Sequence, residues 1–180
     1  MKAARADAVR NRQKILATAE DMFAREGLAV SVDDIARRAD VGIGTLYRHF
    51  PTKDALVAAI VIARIERVAE RAEQLTAAPT PGSALIELLE HMVAESATKR
   101  DLVDALGGTE WFETAAVEAV RARYRRALAK LLARAQDAGE IRTDVTAADL
   151  TAIVKGLFSA NVDARARGRL LRILIDGLRR

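Results

Sequence analysis

The sequence predicts an all-α protein. Its 180 residues are rich in Ala, Leu, Arg and Glu, which favour helices, and include only three prolines. Runs in which β-branched and polar residues alternate, the usual sign of strands, are missing. Apolar residues make up 51% of the chain, which is enough for a buried core. The absence of cysteine excludes disulfide frameworks, thiolate metal sites and cysteine nucleophiles.

Four helices are predicted in the N-terminal part of the chain. They span about 8–26, 32–39, 43–49 and 53–76. The first carries an apolar stripe at helical spacing and ends at Gly27, a residue suited to the position after a helix. Ser31 and Asp34 form a capping-box pattern before the second helix. Pro51 closes the third helix, and Thr52 is placed to cap the fourth.

A Pro- and Gly-containing segment, residues 77–82, is the only strong linker signal, and further helices follow it. These are predicted at about 83–98, 101–106, around Trp111 and Phe112, 115–138, 147–160 and 164–178. Gly139 ends the helix at 115–138, and Thr146 with Asp149 forms a second capping-box pattern. The sequence therefore predicts about nine to ten helices.

A very short turn joins the second and third predicted helices, as in a helix-turn-helix. In that motif the second helix lies in the major groove of DNA and the first crosses the backbone. The second helix here is dense with side chains that reach DNA, namely Thr45, Tyr47, Arg48 and His49. The spacing and the side chains together predict DNA binding by this pair of helices.

Residues 31–56 read SVDDIARRADVGIGTLYRHFPTKDAL. This run closely resembles the DNA-binding signature of the TetR family of bacterial repressors. The resemblance implies a helix-turn-helix DNA-binding domain at 1–52, built from three helices, and a regulatory ligand-binding and dimerisation domain at 53–180. Two positions depart from the family's usual pattern, since Asp40 stands for a Gly in the turn and Gly42 for a Ser at the helix cap. Asp tolerates a left-handed conformation and Gly is an acceptable cap, so we expect the turn to form without the hydroxyl's hydrogen bond.

The resemblance also implies the roles of individual residues. The expected phosphate contacts are Tyr47, His49 and Lys53. The expected base contacts are Thr45, Arg48, Ile43 and Gly44. The remaining expected DNA contacts are Ser31, Val32 and Arg37. Phosphate contacts position a protein on DNA and base contacts specify the sequence, and Arg48 is equally suited to either.

The positive charge of the sequence is confined to its N-terminus. The chain has 29 Lys and Arg against 25 Asp and Glu, a formal net charge of +4. All of this excess lies in residues 1–14, whereas residues 15–180 hold 24 basic and 24 acidic side chains. We expect residues 1–14 to be an arm that is disordered alone and lies along or into the minor groove of bound DNA. A frayed terminus that adds only nonspecific attraction is the alternative.

A helix-turn-helix of this size contacts few base pairs, so we expect a homodimer on a palindromic operator of double-stranded DNA. In the family, two late antiparallel helices of each subunit form a four-helix bundle. The helices at 115–138 and 147–160 are the candidates here, and the final helix is the substitute for either. The expected interface residues are Tyr124, Leu128, Leu131, Leu150, Ile153, Val154 and Leu157. Some of these must serve the subunit's own core.

Members of the family usually enclose a small-molecule effector within the regulatory domain. The expected ligand contacts are His91, Met92, Glu95, Trp111, Phe112, Phe158 and Asn161. Trp111 is the best candidate, since ordinary packing or exposure explains His91 and Met92 more readily. The expected function is a ligand-responsive repressor, in which an effector of unknown identity swings helix four and weakens operator binding.

Three other classes of protein are compared with the sequence, namely a helical module without DNA binding, an enzyme and a membrane protein. An all-α ligand-binding or protein-interaction module without DNA binding is the alternative, but it leaves the helix-turn-helix residues unexplained. A di-iron enzyme needs two Glu-x-x-His motifs, and the two histidines, His49 and His91, follow Leu46 and Leu88 at that spacing. We therefore expect no enzyme activity and no cofactor. The longest apolar run, 55–63, is too short to span a bilayer, so we expect a cytoplasmic protein with no membrane partner.

Overall fold

The computed structural model describes residues 2–96, 114–160 and 162–180, and these contain eight α-helices and no β-strand. In chain order the helices are α1 (Lys2–Glu26), α2 (Val32–Arg38), α3 (Ile43–His49), α4 (Lys53–Leu75), α5 (Pro81–Ser96), α6 (Ala115–Asp137), α7 (Ala147–Ser159) and α8 (Ala164–Leu178). The predicted all-α class is confirmed. The short helices predicted at 101–106 and around Trp111 lie outside the described residues. Within the described ranges, no helix is long and apolar enough to cross a membrane.

The first helix begins at Lys2, so the expected disordered arm at residues 1–14 is wrong from residue 2 onward. This segment has no Gly or Pro to interrupt a helix, and it is rich in Ala and Arg, which are strong helix formers. Asp7 also forms an ion pair with Arg10, one turn further along the helix. The basic residues of the N-terminus are therefore carried on a helix.

Helix starts follow the capping signals of the sequence. The Ser31 hydroxyl accepts a hydrogen bond from the backbone N–H of Asp34 (3.1 Å) and donates one to the Asp34 carboxylate (2.6 Å). The Thr52 hydroxyl accepts a hydrogen bond from a backbone N–H in the first turn of α4 (3.0 Å). Thr146 and Asp149 form a complete capping box at the start of α7. These residues set the helix boundaries because they satisfy N–H groups that have no partner within the helix.

Among the described residues, those up to Ala63 form one compact unit and those from Arg64 onward form another. The division therefore lies inside α4, whereas the sequence put the domain boundary between residues 52 and 53. In the N-terminal unit α1 packs against both α2 and α3. The largest of the side chains buried completely there are Ile15, Ile35, Leu46, Leu56 and Ile60. This core fixes the angle at which α2 and α3 are presented.

The C-terminal unit is built around α5, which packs against α6 and α7, while α7 also contacts α8. Its completely buried side chains include Leu85, Leu88, Leu89, Leu128, Leu131, Ile141 and Leu150. The guanidinium of Arg134 holds the preceding linker by donating hydrogen bonds to the backbone carbonyls of Thr76 and Ala78. The linker segment predicted at 77–82 is therefore attached to α6.

Candidate nucleic-acid interface

The turn between α2 and α3 is a Schellman motif with an aspartate at its left-handed position. Asp40 has a φ of +54°, and its N–H donates to the Arg37 carbonyl at 3.2 Å. The N–H of Val41 donates to the Ala36 carbonyl at 3.0 Å, which completes the pair of hydrogen bonds that defines this motif. The expectation that Asp40 takes the place of the family's usual Gly without loss of the turn is confirmed.

The start of α3 lacks a side-chain cap. Gly42 is the N-cap residue with a φ of −65°, and among the residues that the structure describes no side chain caps the free N–H groups of the first turn. A Cβ atom built on Gly42 would meet only the Thr45 hydroxyl oxygen, at 3.9 Å, so space for a side chain exists. The expected loss of the cap hydrogen bond at Gly42 is confirmed. It is lost because glycine has no side chain, and not because the site is crowded.

The third helix has one buried face and one exposed face. Leu46 and Phe50 are 0% and 3% exposed and join the core of the N-terminal unit. The exposed residues are Ile43, Gly44, Tyr47 and Arg48. Thr45 and His49 are half-buried at the edges of this surface. The structure thus brings four expected DNA contacts together on one face of α3, as the helical period requires.

The expected contacts on α2 differ in how available they are. Ser31 is exposed, but its hydroxyl is engaged in the cap with Asp34, and Val32 is half-buried. The Arg37 side chain is 75% exposed and forms an ion pair with Asp34. Such exposed pairs are weak, so this guanidinium can exchange its partner for a phosphate.

Lys53 differs from the other expected phosphate contacts because its ammonium group already has protein partners. Its Nζ donates hydrogen bonds to the backbone carbonyls of Leu28 and Val30, the latter at 2.7 Å. The same nitrogen lies 5.8 Å from the centre of the Phe23 ring. The side chain is half-buried in the N-terminal unit.

Sequence reasoning missed Arg12 as a residue of this surface. Its guanidinium carbon lies 5.3 Å from the centre of the Phe50 ring, within the range of a cation–π contact. Arg12 is on α1 and Phe50 follows the last residue of α3, so no helical spacing relates them. The contact places a positive charge beside the C-terminal end of α3.

Expected ligand residues of α5 contact the interior of the C-terminal unit. Met92 is 8% exposed, and its sulfur accepts a hydrogen bond from the Tyr124 hydroxyl at 3.2 Å. Burial raises the pKa of Tyr124, and a hydrogen bond with Thr151 opposes the rise in part. The buried Nε2 atom of His91 has no hydrogen-bond partner in the described part of the chain.

Of the remaining expected ligand residues, only Glu95 has a described side chain. Glu95 forms a two-point contact with Arg67, with distances of 3.3 and 2.9 Å, and its backbone carbonyl accepts a hydrogen bond from Arg64. The positions outside the described residues are Trp111, Phe112 and Asn161, and the side chain of Phe158 is outside them as well. The ligand site therefore stays a prediction.

Most of the expected dimer residues contribute to the subunit's own core. The buried ones are Leu128, Leu131 and Leu150, each 0% exposed, and Val154, 1% exposed. Tyr124 and Leu157 are half-buried, whereas Ile153 is 41% exposed. On α8, Leu170 and Ile173 are 36% and 67% exposed. Exposed apolar area in this unit is thus found on α7 and α8.

Comparison with protein families gives two matches that together cover most of the chain. Residues 15–60 match the family profile described as bacterial regulatory proteins, tetR family. Residues 80–180 match the profile described as transcriptional regulator SbtR-like, C-terminal domain. The first match includes α2, α3 and the turn between them.

Two relatives with local similarity come from bacteria. An HTH-type transcriptional regulator of Staphylococcus aureus is 39% identical over 79 residues, which are 42% of this chain and 41% of that protein. An HTH-type transcriptional repressor of Mycobacterium tuberculosis is 50% identical over 48 residues, 26% of either chain. The chain thus aligns with less than half the length of these curated relatives.

Two solved structures are similar over nearly the whole chain. The TetR transcription regulatory protein from Mycobacterium vanbaalenii is 44% identical, with 98% of this chain and 99% of that chain covered and a TM-score of 0.78. A TetR transcriptional regulator from Streptomyces coelicolor is 34% identical, with coverages of 93% and 98% and a TM-score of 0.73. With its helix-turn-helix, its two family matches and these full-length relatives, the chain belongs to the TetR family of bacterial transcriptional regulators, which are not enzymes.

Proposed function

We propose that this regulator is a repressor that binds a palindromic operator as a homodimer and is released by a small molecule. The observation that carries the proposal is the exposed face of α3, where Tyr47 and Arg48 stand clear of the core. The name of the similar Mycobacterium tuberculosis protein, a transcriptional repressor, supports the direction of regulation. Tyr47 and His49 bind phosphates, while Arg48 and Thr45 face base edges beside Ile43 and Gly44.

The DNA contacts of α2 complete this assignment. Ser31 and Val32 lie at the N-terminal end of α2, where backbone N–H groups favour a phosphate. Arg37 reaches a neighbouring phosphate by leaving its exposed pair with Asp34. These contacts fix the register of the protein, and α3 selects the sequence.

Operator binding is tested with the full chain and the DNA upstream of its own gene. A gel-shift titration with excess nonspecific competitor should give one discrete complex. Footprinting of that complex should show protection of a palindromic sequence. Half-sites should lie about 34–36 Å apart, one turn of DNA, or a multiple of that distance. Absent binding, or binding of equal strength to any sequence, would overturn the proposal.

Dimerisation is supported by an exposed apolar stripe on α8. Residues 166, 170, 173 and 177 recur at helical spacing on one side of this helix, and Leu170 and Ile173 are its large members. Ile153 adds an exposed apolar side chain on α7. We infer that α7 and α8 of each subunit form the four-helix bundle, so that the final helix takes the place expected for the helix at 115–138.

The effector site is proposed among α5, α6 and α7. Polar atoms in this apolar interior support it, namely the Tyr124 hydroxyl and the His91 Nε2 atom. Because α4 runs without a break from Lys53 to Leu75, it belongs to both units and is the element that carries a ligand-dependent shift to the DNA-binding helices. Trp111 is the only tryptophan of the sequence, so its fluorescence should change when a compound that releases the protein from DNA is titrated in. An effector that releases the protein without changing this fluorescence would contradict the placement of Trp111 in the site.

A further inference from the structure

Lys53 carries a positive charge at a position where a helix disfavours one. It is the first residue of α4, and the N-terminal end of a helix has a partial positive charge. An unpaired ammonium group there would be repelled by the free N–H groups of the first turn. A partner elsewhere in the fold is therefore needed to hold the side chain in one place.

The described partners of Lys53 lie in α1 and in the loop between α1 and α2. The carbonyls of Leu28 and Val30 belong to the loop between α1 and α2, and neither carbonyl is part of a helix. Phe23 is in the last turns of α1, and the face of its ring lies below the same nitrogen. The C-terminal end of α1 is also electronegative, which favours a cation beside it. Two of the three ammonium N–H groups are thus committed to backbone atoms of this loop.

The loop ends at Ser31, which is the N-cap of α2 and an expected DNA contact. A side chain that holds the loop therefore also holds the N-terminal end of α2. We propose that Lys53 is a positioning residue, which fixes the start of α2 to the start of α4, and that it does not bind a phosphate. The DNA-binding part of this statement rests on the proposed function, whereas the loop contact does not.

Removal of the ammonium group should make the loop between α1 and α2 less stable. Lys53→Met keeps the length of the side chain and deletes its donors, so amide hydrogen exchange of residues 28–34 should become about tenfold faster. Lys14→Met is the matched control, since Lys14 is an exposed lysine on α1, and the exchange of the loop should be unchanged. Mass spectrometry of peptides from this segment measures both without any DNA.

A second variant keeps the test decisive if Lys53→Met does not fold. Lys53→Ala removes both donors together with the side chain and places a residue that favours helices, so neither loop carbonyl keeps its partner. Exchange of the loop should again be faster than in the wild type. Unchanged exchange in whichever of the two variants folds would overturn the proposal.

DNA binding distinguishes a positioning residue from a phosphate contact. The probe is a duplex selected from random sequence by the wild-type protein, titrated over a range of salt concentrations. Each phosphate contact contributes about 0.9 to the slope of log K against log salt. We expect Lys53→Met to weaken binding with an unchanged slope, because no phosphate contact is lost. Because the proposed dimer holds two copies of Lys53, a slope reduced by about 1.8 with normal loop exchange would assign Lys53 to a phosphate instead. If no duplex is selected, the proposed function fails, and the exchange measurement still decides the loop contact.

Discussion

The Arg48 side chain on α3 is suited to two kinds of DNA contact, one with a guanine base and one with a phosphate. It is exposed on the same face as Tyr47, and within the described ranges it has no ion pair that would hold it against the protein. A guanidinium group in the major groove forms two parallel hydrogen bonds with guanine, and it also binds phosphates. The two roles differ in geometry, because only the first requires the planar fork of arginine.

Replacing Arg48 by Lys separates these roles. If Arg48 reads a guanine, Arg48→Lys should lose about 1–3 kcal/mol of discrimination at one operator position and keep its salt slope. Binding to operators substituted at each position, measured by fluorescence anisotropy, gives both quantities. Tyr47→Phe is the control, because loss of one hydroxyl should weaken binding to all operators alike. If Arg48→Lys keeps the full preference at every base pair, Arg48 is a phosphate contact.

Single residues were predictable where their own chemistry decides the outcome. Asp40 takes a left-handed conformation because a short polar side chain tolerates it, and Gly42 leaves a cap empty because it has no side chain. Lys53 and Arg12 were not predictable in the same way. Their partners, two loop carbonyls and the Phe50 ring, are brought close only by the packing of α1, α3 and α4.

At the scale of helices, starts were predicted well where a capping residue marks them. The structure places α2, α4 and α7 directly after Ser31, Thr52 and Thr146, as the sequence indicated. The start of α1 was predicted several residues late because no cap precedes it and its basic residues suggested an arm. Charge pattern alone does not distinguish a disordered basic segment from a helical one, whereas helix propensity favours the helix.

The cap of α7 should make the stability of this helix depend on acid. The Thr146 hydroxyl and then the Thr146 backbone N–H, both bonded to the Asp149 carboxylate, hold its pKa below the ordinary value of 3.8. Because the folded pKa is lowered, this carboxylate stabilises the fold above about pH 3.8, and the contribution is lost as pH falls through the folded pKa. The free energy of unfolding, measured by urea denaturation, should therefore be larger for the wild type than for Asp149→Ala at neutral pH. The two free energies should converge at pH values below the folded pKa of Asp149.

Two threonine variants check the cause of that difference. Thr146→Ala removes the hydroxyl and should lose most of the same pH-dependent stability. Thr143→Ala changes an exposed threonine of the preceding loop and should behave as the wild type. An Asp149→Ala difference that persists unchanged into strong acid would mean that the carboxylate contributes nothing through its charge.

For the molecule as a whole, the sequence predicted two halves but could not assign the apolar faces of the late helices. Leu131 and Ile173 both occupy apolar positions at helical spacing, yet the first is 0% and the second 67% exposed. The spacing of apolar residues predicts which face of a helix is buried. It does not indicate whether that face is covered by the same chain or by a second copy. Burial of Leu128, Leu131, Leu150 and Val154 therefore shifts the proposed dimer interface onto Ile153 and α8.

Charge on the α8 stripe should separate the subunits. Ile173→Asp would bury two unpaired carboxylates per dimer, each at a cost of about 3 kcal/mol or more, which raises the dimer dissociation constant by about four orders of magnitude. Sedimentation velocity should show monomers, and far-ultraviolet circular dichroism should show the helical content of the wild type. Operator binding should be lost with the dimer.

Val9 offers a matched control, since it is 53% exposed on α1 of the N-terminal unit. Val9→Asp should leave the protein dimeric. Ile173→Asp that still sediments as a dimer would place the interface elsewhere on the chain.

The helical start of α1 limits how far its positive charges reach. From residue 2 to residue 14, a helix covers about 18 Å, whereas the same segment fully extended would cover about 40 Å. A rod of the shorter length cannot follow the groove around the duplex, as a flexible arm does. In the proposed operator complex, the N-terminal charge therefore acts only on the stretch of DNA backbone that lies within about 18 Å along this helix.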